Sequence, residues 1–320
     1  MKLSIVASCI VFGACSNDGA AQNYPAKPVR LVNGFLPGGA TDIIGRIIAQ
    51  KLTVAFGQTV AVENRPGSGG NIAAESVVRA APDGHTLLIA FTGLAINPSL
   101  YTRMNYNPQK DLAPVVLMAT VPLLLAVHPS VPAKTVGELI ALAKRRPGEL
   151  TFPSSGNGSS SHLGAELFRV MAGIDVVHVP YKGGAQGLID LVSGSMSFMI
   201  NPVPEMLPYA RSDRIRALAT TSRERAPAAP DLPTIHEAAL PGYEMGSWSG
   251  IMAPLGTPDE IIARLNTEVT KLLRSTEVRN QLDGLGYIIL AGPPQALSSH
   301  LKAETEKWAV VIKAAGTRID

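Results

Sequence analysis

The chain has 320 residues, of which 46% are hydrophobic and 17% charged, and its formal net charge is +3. This composition predicts a globular protein with enough apolar material for two domains of ordinary size. No run of basic residues is interleaved with aromatic ones, so we expect no nucleic-acid partner.

Residues 1–21 have the pattern of an export signal. One lysine is followed by an apolar stretch up to Cys15 and then by small residues, and the stretch is too short to span a bilayer. Signal peptidase would cut after Ala21, whereas a lipobox ending in Cys15 would leave a lipid anchor, although Phe12 fits its first position poorly. Both cysteines lie in this region, so we expect an exported periplasmic protein, free or lipid-anchored, without a disulfide.

A strand, a glycine turn and a helix come next. Residues 29–32 are an apolar run, a Pro-Gly-Gly turn at residues 37–39 breaks it, and the apolar residues after the turn recur at helical spacing. Thr41 and Asp42 stand in the first turn, where side chains can accept from free N–H groups. Such N–H groups and the helix dipole favour an anion, so we interpret the turn as a carboxylate or phosphate site. An ordinary strand-to-helix turn is the alternative.

Two similar units follow in the first half of the chain. The glycine-rich loop at residues 64–71 lacks the third glycine and the acidic residue of a dinucleotide fingerprint, so we expect no NAD. A strand at residues 86–90 leads into a helix at residues 92–100, which makes Thr92 and Asn97 candidates for lining a cleft. Asn97 also fits a turn residue before Pro98.

A polar serine and glycine loop at residues 153–162 lies between a short strand and an amphipathic helix. Its hydroxyl groups and backbone can hold an anion. The sequence contains no G-x-S-x-G pattern, which argues against a nucleophilic serine. His162, in the first helical turn, fits packing or capping better than a catalytic base.

The rest of the chain continues to alternate. We predict strands at residues 175–180, 196–200 and 215–219, helices at residues 185–192, 258–273 and 294–314, and an extended segment at residues 247–253. The scattered histidines form no metal-ligand cluster, so we expect no metal. Alternating strands and helices predict an α/β protein with mainly parallel sheets flanked by helices and with ligands at the carboxyl ends of the strands.

Two anion-type loops far apart in sequence predict two lobes that face each other across a cleft. Extended segments near residues 120–127 and 246–253 would connect the lobes. The predicted limits are 22–124 with 250–320 for lobe 1, and 125–249 for lobe 2. We expect the lobes to close on a small ligand by hinge bending.

Short motifs occur in a fixed order from Tyr24 to the C-terminus. They are Tyr24-Pro25-x-x-Pro28, Pro37-Gly38-Gly39-x-x-Asp42, Val62-Glu63-Asn64-Arg65-Pro66-Gly67, Pro82-Asp83-Gly84-x-Thr86-Leu87, Ala95-Ile96-Asn97-Pro98, Ser154-Ser155-Gly156-Asn157-Gly158, His162-Leu163, His178-Val179-Pro180-Tyr181-Lys182-Gly183-Gly184, Leu232-Pro233-Thr234 and Thr257-Pro258. In this order they resemble the periplasmic solute-binding receptors of tripartite tricarboxylate transporters, the Bug family.

The resemblance implies a two-lobed Venus-flytrap receptor that captures a small organic carboxylate for the membrane subunits of a transporter. It implies no catalytic activity and no cofactor, and we expect a monomer. In the family, the Pro-Gly-Gly and Ser-Ser loops hold one carboxylate, largely by backbone and hydroxyl groups. The candidate ligand-binding residues are Phe35, Gly38, Gly39, Ala40, Thr41, Asp42, Thr92, Asn97, Ser154, Ser155, Asn157, Gly158, His162, Tyr181 and Asn201.

Two alternatives share these residues. A sensor would use the same ligand site but report to a signalling partner. An esterase or amidase would use Ser155 or Ser160 with His162, although no nucleophile elbow supports it.

The sequence departs from the family at two places. The loop at residues 33–37 lacks the family's usual Phe-Pro-Pro, and Asn201 stands where the family often has Asp. An amide removes a charge and adds two donors, so we expect a ligand whose far end accepts hydrogen bonds, such as a second carboxylate. A turn residue before Pro202 is the alternative for Asn201.

Overall fold

The computed structural model describes residues 24–315. The predicted signal peptide, its cleavage site and both cysteines lie outside the described residues. Over the described range, no helix combines the length and the apolar content that crossing a bilayer requires.

Strands and helices alternate through the described residues. The strands are β1 (Val29–Asn33), β2 (Val60–Asn64), β3 (Thr86–Phe91), β4 (Leu112–Val127), β5 (Thr151–Ser154), β6 (Val177–Pro180), β7 (Phe198–Pro202), β8 (Arg216–Thr220), β9 (Gly246–Pro254) and β10 (Ile288–Gly292). The helices are α1 (Ala40–Phe56), α2 (Asn71–Val78), α3 (Gly93–Leu100), α4 (Val136–Arg145), α5 (Ser160–Ala172), α6 (Gly184–Val192), α7 (Val203–Arg211), α8 (Ile235–Ala238), α9 (Asp259–Arg274), α10 (Thr276–Gly284) and α11 (Pro294–Ala315).

The main sheet is mixed, which corrects the prediction of mainly parallel sheets. Its strand order is β10-β4-β9-β3-β1-β2. The βα units β1, β2 and β3 are parallel, whereas β4, β9 and β10 join antiparallel. The reason is that β4 leaves the first half of the molecule and β9 returns to it, so the two crossing strands must run in opposite directions.

Strand β4 passes through both halves of the molecule. Residues 112–122 pair with β9, and residues 123–127 lie between β7 and β8. The partner changes just after Pro122, which has no N–H to donate to a ladder. The two extended crossings and the two-lobed α/β fold are therefore as the sequence predicts. The exact lobe limits stay a prediction. We propose that the boundary on β4 is the change of partner after Pro122.

The hydrophobic core follows β4 on both faces. Leu123 and Leu125 face one apolar cluster, and Leu124 and Ala126 face the other; all four are fully buried. Successive side chains of a strand point to opposite faces, so each cluster continues from one half of the molecule to the other. Two C-terminal helices complete the cover of the core. Helix α9 packs on β4 and α1, and helix α11 packs on β4 and α3.

Helix α1 follows the predicted strand–turn–helix pattern. Ile44, Ile48 and Leu52 recur every fourth residue and are fully buried against the sheet. The helix ends at Gly57, whose φ of 64° is a left-handed conformation that favours glycine. Packing along this stripe fixes the first turn of α1 beyond the carboxyl end of β1.

Candidate ligand-binding cleft

Helices α1, α3, α5, α6 and α7 begin around one cavity at the carboxyl ends of the strands. The space between its lining atoms is about 410 Å³, a figure that includes space open to solvent. The lining residues are Phe35, Gly39, Ala40, Thr41, Phe91, Thr92, Gly93, Ser155, Ser159, Ser160, Gly184, Pro202, Glu205 and Ser247. None of them is Lys, Arg or His, so a bound anion would be held by N–H groups of the helix starts and by hydroxyl groups.

The start of α1 is held by contacts from both halves of the molecule. Gly39 has extended backbone at the N-cap and makes no side-chain cap. The N–H of Ala40 donates to Glu205 Oε1 at 2.8 Å, across the cleft. The hydroxyl of Thr41 donates to Asn33 Oδ1 at 2.8 Å, which ties the first turn to the end of β1.

Asp42 lies away from the cavity, although the resemblance implied a ligand contact. Its carboxylate accepts from Arg46 Nε at 2.8 Å, from Asn64 Nδ2 at 2.8 Å and from the exposed Gly38 N–H at 3.0 Å. Burial by itself raises the pKa of Asp42, but these hydrogen bonds outweigh it and hold the pKa below its usual value. Asp42 is therefore an ionised brace that shapes the Pro-Gly-Gly loop.

The Ser-Ser loop brings one of its two serines to the cavity. The hydroxyl of Ser155 donates to Asn201 Oδ1 at 3.2 Å, and its N–H donates to Ser161 Oγ at 2.8 Å. Ser154 is fully buried behind the loop, where its hydroxyl lies 2.7 Å from His178 Nε2. Ser155 can reach a ligand, whereas Ser154 supports the loop.

His162 also belongs to the packing behind the loop. Its ring stacks on His178 with centroids 4.2 Å apart, and burial lowers the pKa of each ring to about 4. Both rings are neutral at pH 7. Ser154 and His178 form a pair that does not line the cavity, and among the described residues neither Ser155 nor Ser160 hydrogen-bonds to a histidine. The geometry therefore offers a substrate no serine–histidine dyad.

Glu205 is the ionisable residue of the cavity, and sequence reasoning missed it. The residue is 8% exposed, and Oε1 accepts from Ala40 while Oε2 accepts from Asn201 Nδ2 at 2.8 Å. Burial raises the pKa of Glu205 to about 7, and the two hydrogen bonds oppose this shift only in part. A carboxyl group therefore faces the ligand space.

Asn201 lies behind Ser155 and Glu205 rather than in the lining of the cavity. Its Oδ1 accepts from Ser155, and its Nδ2 donates to Glu205. The expected free amide facing the far end of a ligand is therefore not what this structure shows, because both ends of the amide are occupied.

Helix α3 contributes its first residues and not its middle. The hydroxyl of Thr92 accepts from the Trp248 N–H at 3.1 Å, which joins α3 to β9. Asn97 lies further along the helix, and its Nδ2 donates to the Gly69 carbonyl at 3.1 Å and to Asn71 Oδ1 at 2.8 Å. Asn97 thus holds the glycine-rich loop and lies outside the cavity.

A second cavity opens beside the first and shares Phe35 and Ser155 with it; its space is about 600 Å³, a figure that includes space open to solvent. Asn157 and Tyr181 lie in its lining, and the Tyr181 hydroxyl donates to the Asp190 carboxylate. We interpret it as the mouth of the cleft.

Glycines allow the glycine-rich loop and α3 to approach the Ser-Ser loop closely beside the mouth. Gly158 has φ of 78°, and a Cβ added there would lie 2.2 Å from Asn97 Oδ1. A Cβ added to Gly69 would lie 2.3 Å from the Asn157 carbonyl oxygen. Side chains at these positions would hold the two sides apart.

The family model described as "Tripartite tricarboxylate transporter family receptor" matches residues 44–317. This chain belongs to the tripartite tricarboxylate transporter receptor family. Within residues 24–315 of this receptor, no group of three or more His, Cys, Asp or Glu residues could hold a metal ion.

Relatives of this receptor, and other proteins of similar solved structure, match it over nearly its whole length. A protein of Pseudomonas sp. strain P51, encoded in the tcbD-tcbE intergenic region, is 41% identical over 290 residues, 90% of this chain and 86% of its own. BugT of Bordetella pertussis is 33% identical over 99% of this chain and 98% of its own. Rpa4515 of R. palustris, solved with adipate, has a TM-score of 0.89 and 41% identity over 92% of this chain and 98% of its own. MatC of Rhodopseudomonas palustris, solved with malate, has a TM-score of 0.85 and 33% identity over 90% of this chain and 100% of its own.

The structure divides the predicted ligand-binding residues of this receptor into three groups. The first group lines the first cavity: Phe35, Gly39, Ala40, Thr41, Thr92 and Ser155. The second group lines the mouth: Phe35 and Ser155 again, with Asn157 and Tyr181. The third group lines neither cavity: Gly38, Asp42, Asn97, Ser154, Gly158, His162 and Asn201. Lining residues that sequence reasoning did not name as ligand contacts are Phe91, Gly93, Ser159, Ser160, Gly184, Pro202, Glu205 and Ser247.

Glu205 was missed because its helix was missed. Helix α7 carries Pro at its start and Pro208 inside, and prolines in a sequence favour a turn interpretation. A proline in the first helical turn is tolerated, however, because the N–H that it lacks would have no partner there. A carboxyl group one turn after a strand was the available signal.

Proposed function

We propose that this protein is a periplasmic receptor that captures a small organic carboxylate and delivers it to membrane subunits of a tripartite tricarboxylate-type transporter. The periplasmic location and the transporter partner are supported by family membership. The protein acts as a monomer, without cofactor or metal and without catalysing a reaction on its ligand.

The observation that carries this proposal is the convergence of helix starts on a cavity without basic side chains. Residues at the starts of α1, α3, α5, α6 and α7 line a space that also carries hydroxyl groups. Helix N-termini and hydroxyl groups bind anions by directed hydrogen bonds. Adipate and malate, with which the similar proteins Rpa4515 and MatC were solved, support a carboxylate rather than a phosphate.

Hydrogen bonds and close contacts across the cleft support capture by closure. Ala40 bonds to Glu205 over 165 positions of sequence, and Gly158 packs against Asn97. Strands β4 and β9 are the connections about which the halves can bend. Closure would remove the ligand from water and strengthen its hydrogen bonds.

A thermal-shift screen on residues 22–320 tests the ligand class. We expect adipate, malate or a related acid to raise the melting temperature, because a ligand that binds only the folded state stabilises it by about 2.7 kcal/mol at a concentration of a hundred times Kd. Adipamide has the length of adipate without its charges and serves as the matched compound. Equal shifts with adipate and adipamide, or no shift with any acid, would contradict the proposal.

The intact mass of protein recovered from the periplasm tests the maturation. We propose a mature chain that starts at Gln22. A chain that begins with a lipid-modified Cys15 would show that the lipobox is used instead.

A further inference from the structure

The carboxyl group of Glu205 reaches across the cleft to the start of α1. Its Oε1 lies 2.8 Å from the Ala40 nitrogen, and a Cβ added to Gly184 would lie 2.3 Å from Oε2. The group is thus held between the first turns of α1 and α6, the same kind of place that we assign to a ligand carboxylate. It is at once a wall of the cavity and an anion of the protein itself.

Within residues 24–315, this carboxyl group forms no ion pair with a Lys, Arg or His side chain. Its hydrogen-bond partners are the Ala40 N–H and the Asn201 amide, both uncharged. The titratable and charged groups on the elements around it are Asp42, Arg46 and Lys51 on α1, His162, Glu166 and Arg169 on α5, Asp190 on α6, Tyr209 and Arg211 on α7, and Tyr287 ahead of β10. Lys51 pairs with Glu277, and Arg169 pairs with Glu166. Arg46 is committed to Asp42, and the Tyr287 hydroxyl donates to the Ala40 carbonyl, so neither neutralises Glu205.

We propose that Glu205 takes up one proton when the cleft captures a carboxylate. This inference rests on the function proposed above. A ligand carboxylate held by the starts of α1 and α5 would share a small cavity with Glu205, and two carboxylates in contact cannot both stay ionised without a large cost. A protonated Glu205 removes the like charge, and its O–H can donate to the ligand.

The step changes only protonation. The proton comes from solvent and goes to a carboxyl oxygen of Glu205, and no bond of the ligand forms or breaks. Burial already raises the pKa of Glu205 to about 7, so little further shift is needed near neutral pH. The cleft would then prefer carboxylates without an ammonium group, because protonated Glu205 has no negative charge with which an ammonium could pair.

Calorimetry in two buffers of different ionisation enthalpy measures the proton uptake directly. The probe is the tightest binder among adipate, malate, succinate and benzoate, whose own carboxyl groups are ionised from about pH 6.5 to about pH 9. We expect uptake of up to one proton per ligand between pH 7 and the pKa that Glu205 has in the complex, and over that range the affinity should fall by up to tenfold per pH unit.

The variant Glu205→Gln should bind with no proton uptake and with an affinity that does not change with pH. Its amide can keep the network, accepting from Ala40 and donating to Asn201 once the Asn201 amide turns over. Glu260→Gln is the matched control, since it removes the same charge from an exposed position in the first turn of α9. It should keep the pH dependence of the unmodified protein.

Several outcomes would overturn the inference. Binding of the acid by the unmodified protein without proton uptake at any pH would remove it, and this measurement needs no variant. Uptake that persists in Glu205→Gln would assign the proton elsewhere. Preference for glutamate over the plain acids, without uptake and lost in Glu205→Gln, would show that Glu205 recognises an ammonium. If no acid binds at any pH, the proposed function fails as well.

Discussion

Neighbouring serines with different surroundings give the sharpest test at the scale of single residues. Ser155 lines the cavity, whereas Ser154 is buried against His178. We expect Ser155→Ala to lose a charge-assisted hydrogen bond to the ligand, worth about 1.5–3 kcal/mol, or about ten- to a hundredfold in Kd. Calorimetry with the best acid measures this loss.

Ser154→Ala is the matched control for that change. It removes the hydroxyl that contacts His178 and accepts from the Gly156 N–H, so it should lower the melting temperature. The affinity of the folded variant should stay close to that of the unmodified protein. If both variants lose affinity equally, the assignment of the ligand contact to Ser155 alone is wrong.

His162 gives a residue-scale prediction about acid stability. Burial lowers its pKa in the folded protein from 6.5 to about 4, so the unfolded chain binds a proton between these pH values that the folded protein does not. The stability that neutral His162 provides is complete above pH 6.5 and is lost as the pH falls to about 4, by roughly 2–3 kcal/mol. Glu205 has the opposite sign, since its raised pKa makes its contribution largest below pH 4.5 and lost as the pH rises to about 7.

Urea unfolding of the unmodified protein and of His162→Gln, near pH 7 and near pH 5, separates the contribution of His162 from that of Glu205. We expect His162→Gln to lose less of its own stability between these values than the unmodified protein does. Equal losses in both proteins would mean that His162 is not the group that titrates on unfolding.

At the scale of elements, the start of α6 decides whether the cleft can form. Gly184 has no positive φ, so alanine fits its backbone, but the added Cβ would lie 2.3 Å from Glu205 Oε2 and 2.9 Å from Ser155 Oγ. We expect Gly184→Ala to fold and to bind acids at least tenfold more weakly, because α6 must move away from the cavity. Thermal shift with the best acid measures this loss.

A second helical glycine provides the control. Gly137 lies in α4, and a Cβ added there would meet nothing within 4 Å. Gly137→Ala should keep acid binding and gain about 0.5–1 kcal/mol in stability from its higher helix propensity. Normal binding by Gly184→Ala would show that this helix start does not bound the ligand.

At the scale of the whole molecule, contacts between the halves depend on closure. Ala40–Glu205 and Gly158–Asn97 join elements that only β4 and β9 connect through the sheet. We expect small-angle scattering to show a smaller radius of gyration at saturating acid than without acid, because binding favours the closed arrangement. Gly184→Ala should show little change under the same conditions. Identical profiles of the unmodified protein would rule out a large hinge motion.

Local patterns in the sequence were enough for most of the order of strands and helices, although not for α7, and for the glycine and serine loops. Buried stripes and turn glycines act over a few residues, which is why α1 and the loop before α5 were predicted correctly. The ordered motifs added the family, which the family model confirms. The polar side chains near a predicted loop could not be sorted in this way, since Ser154 and Ser155 differ only in what lies behind them.

Only the tertiary structure decided which groups meet in the cleft. Glu205 reaches Ala40 from 165 positions away, through a helix whose prolines hid it and a sheet whose crossing strands had to run antiparallel. Such a contact depends on the register of β4 with β7 and β9 and on the closure of the two halves, and no local pattern encodes either. The sequence by itself therefore determined the α/β class and, through its ordered motifs, the receptor family. The buried carboxyl group of Glu205 in that site followed from packing alone, because burial and distance are properties of the folded chain.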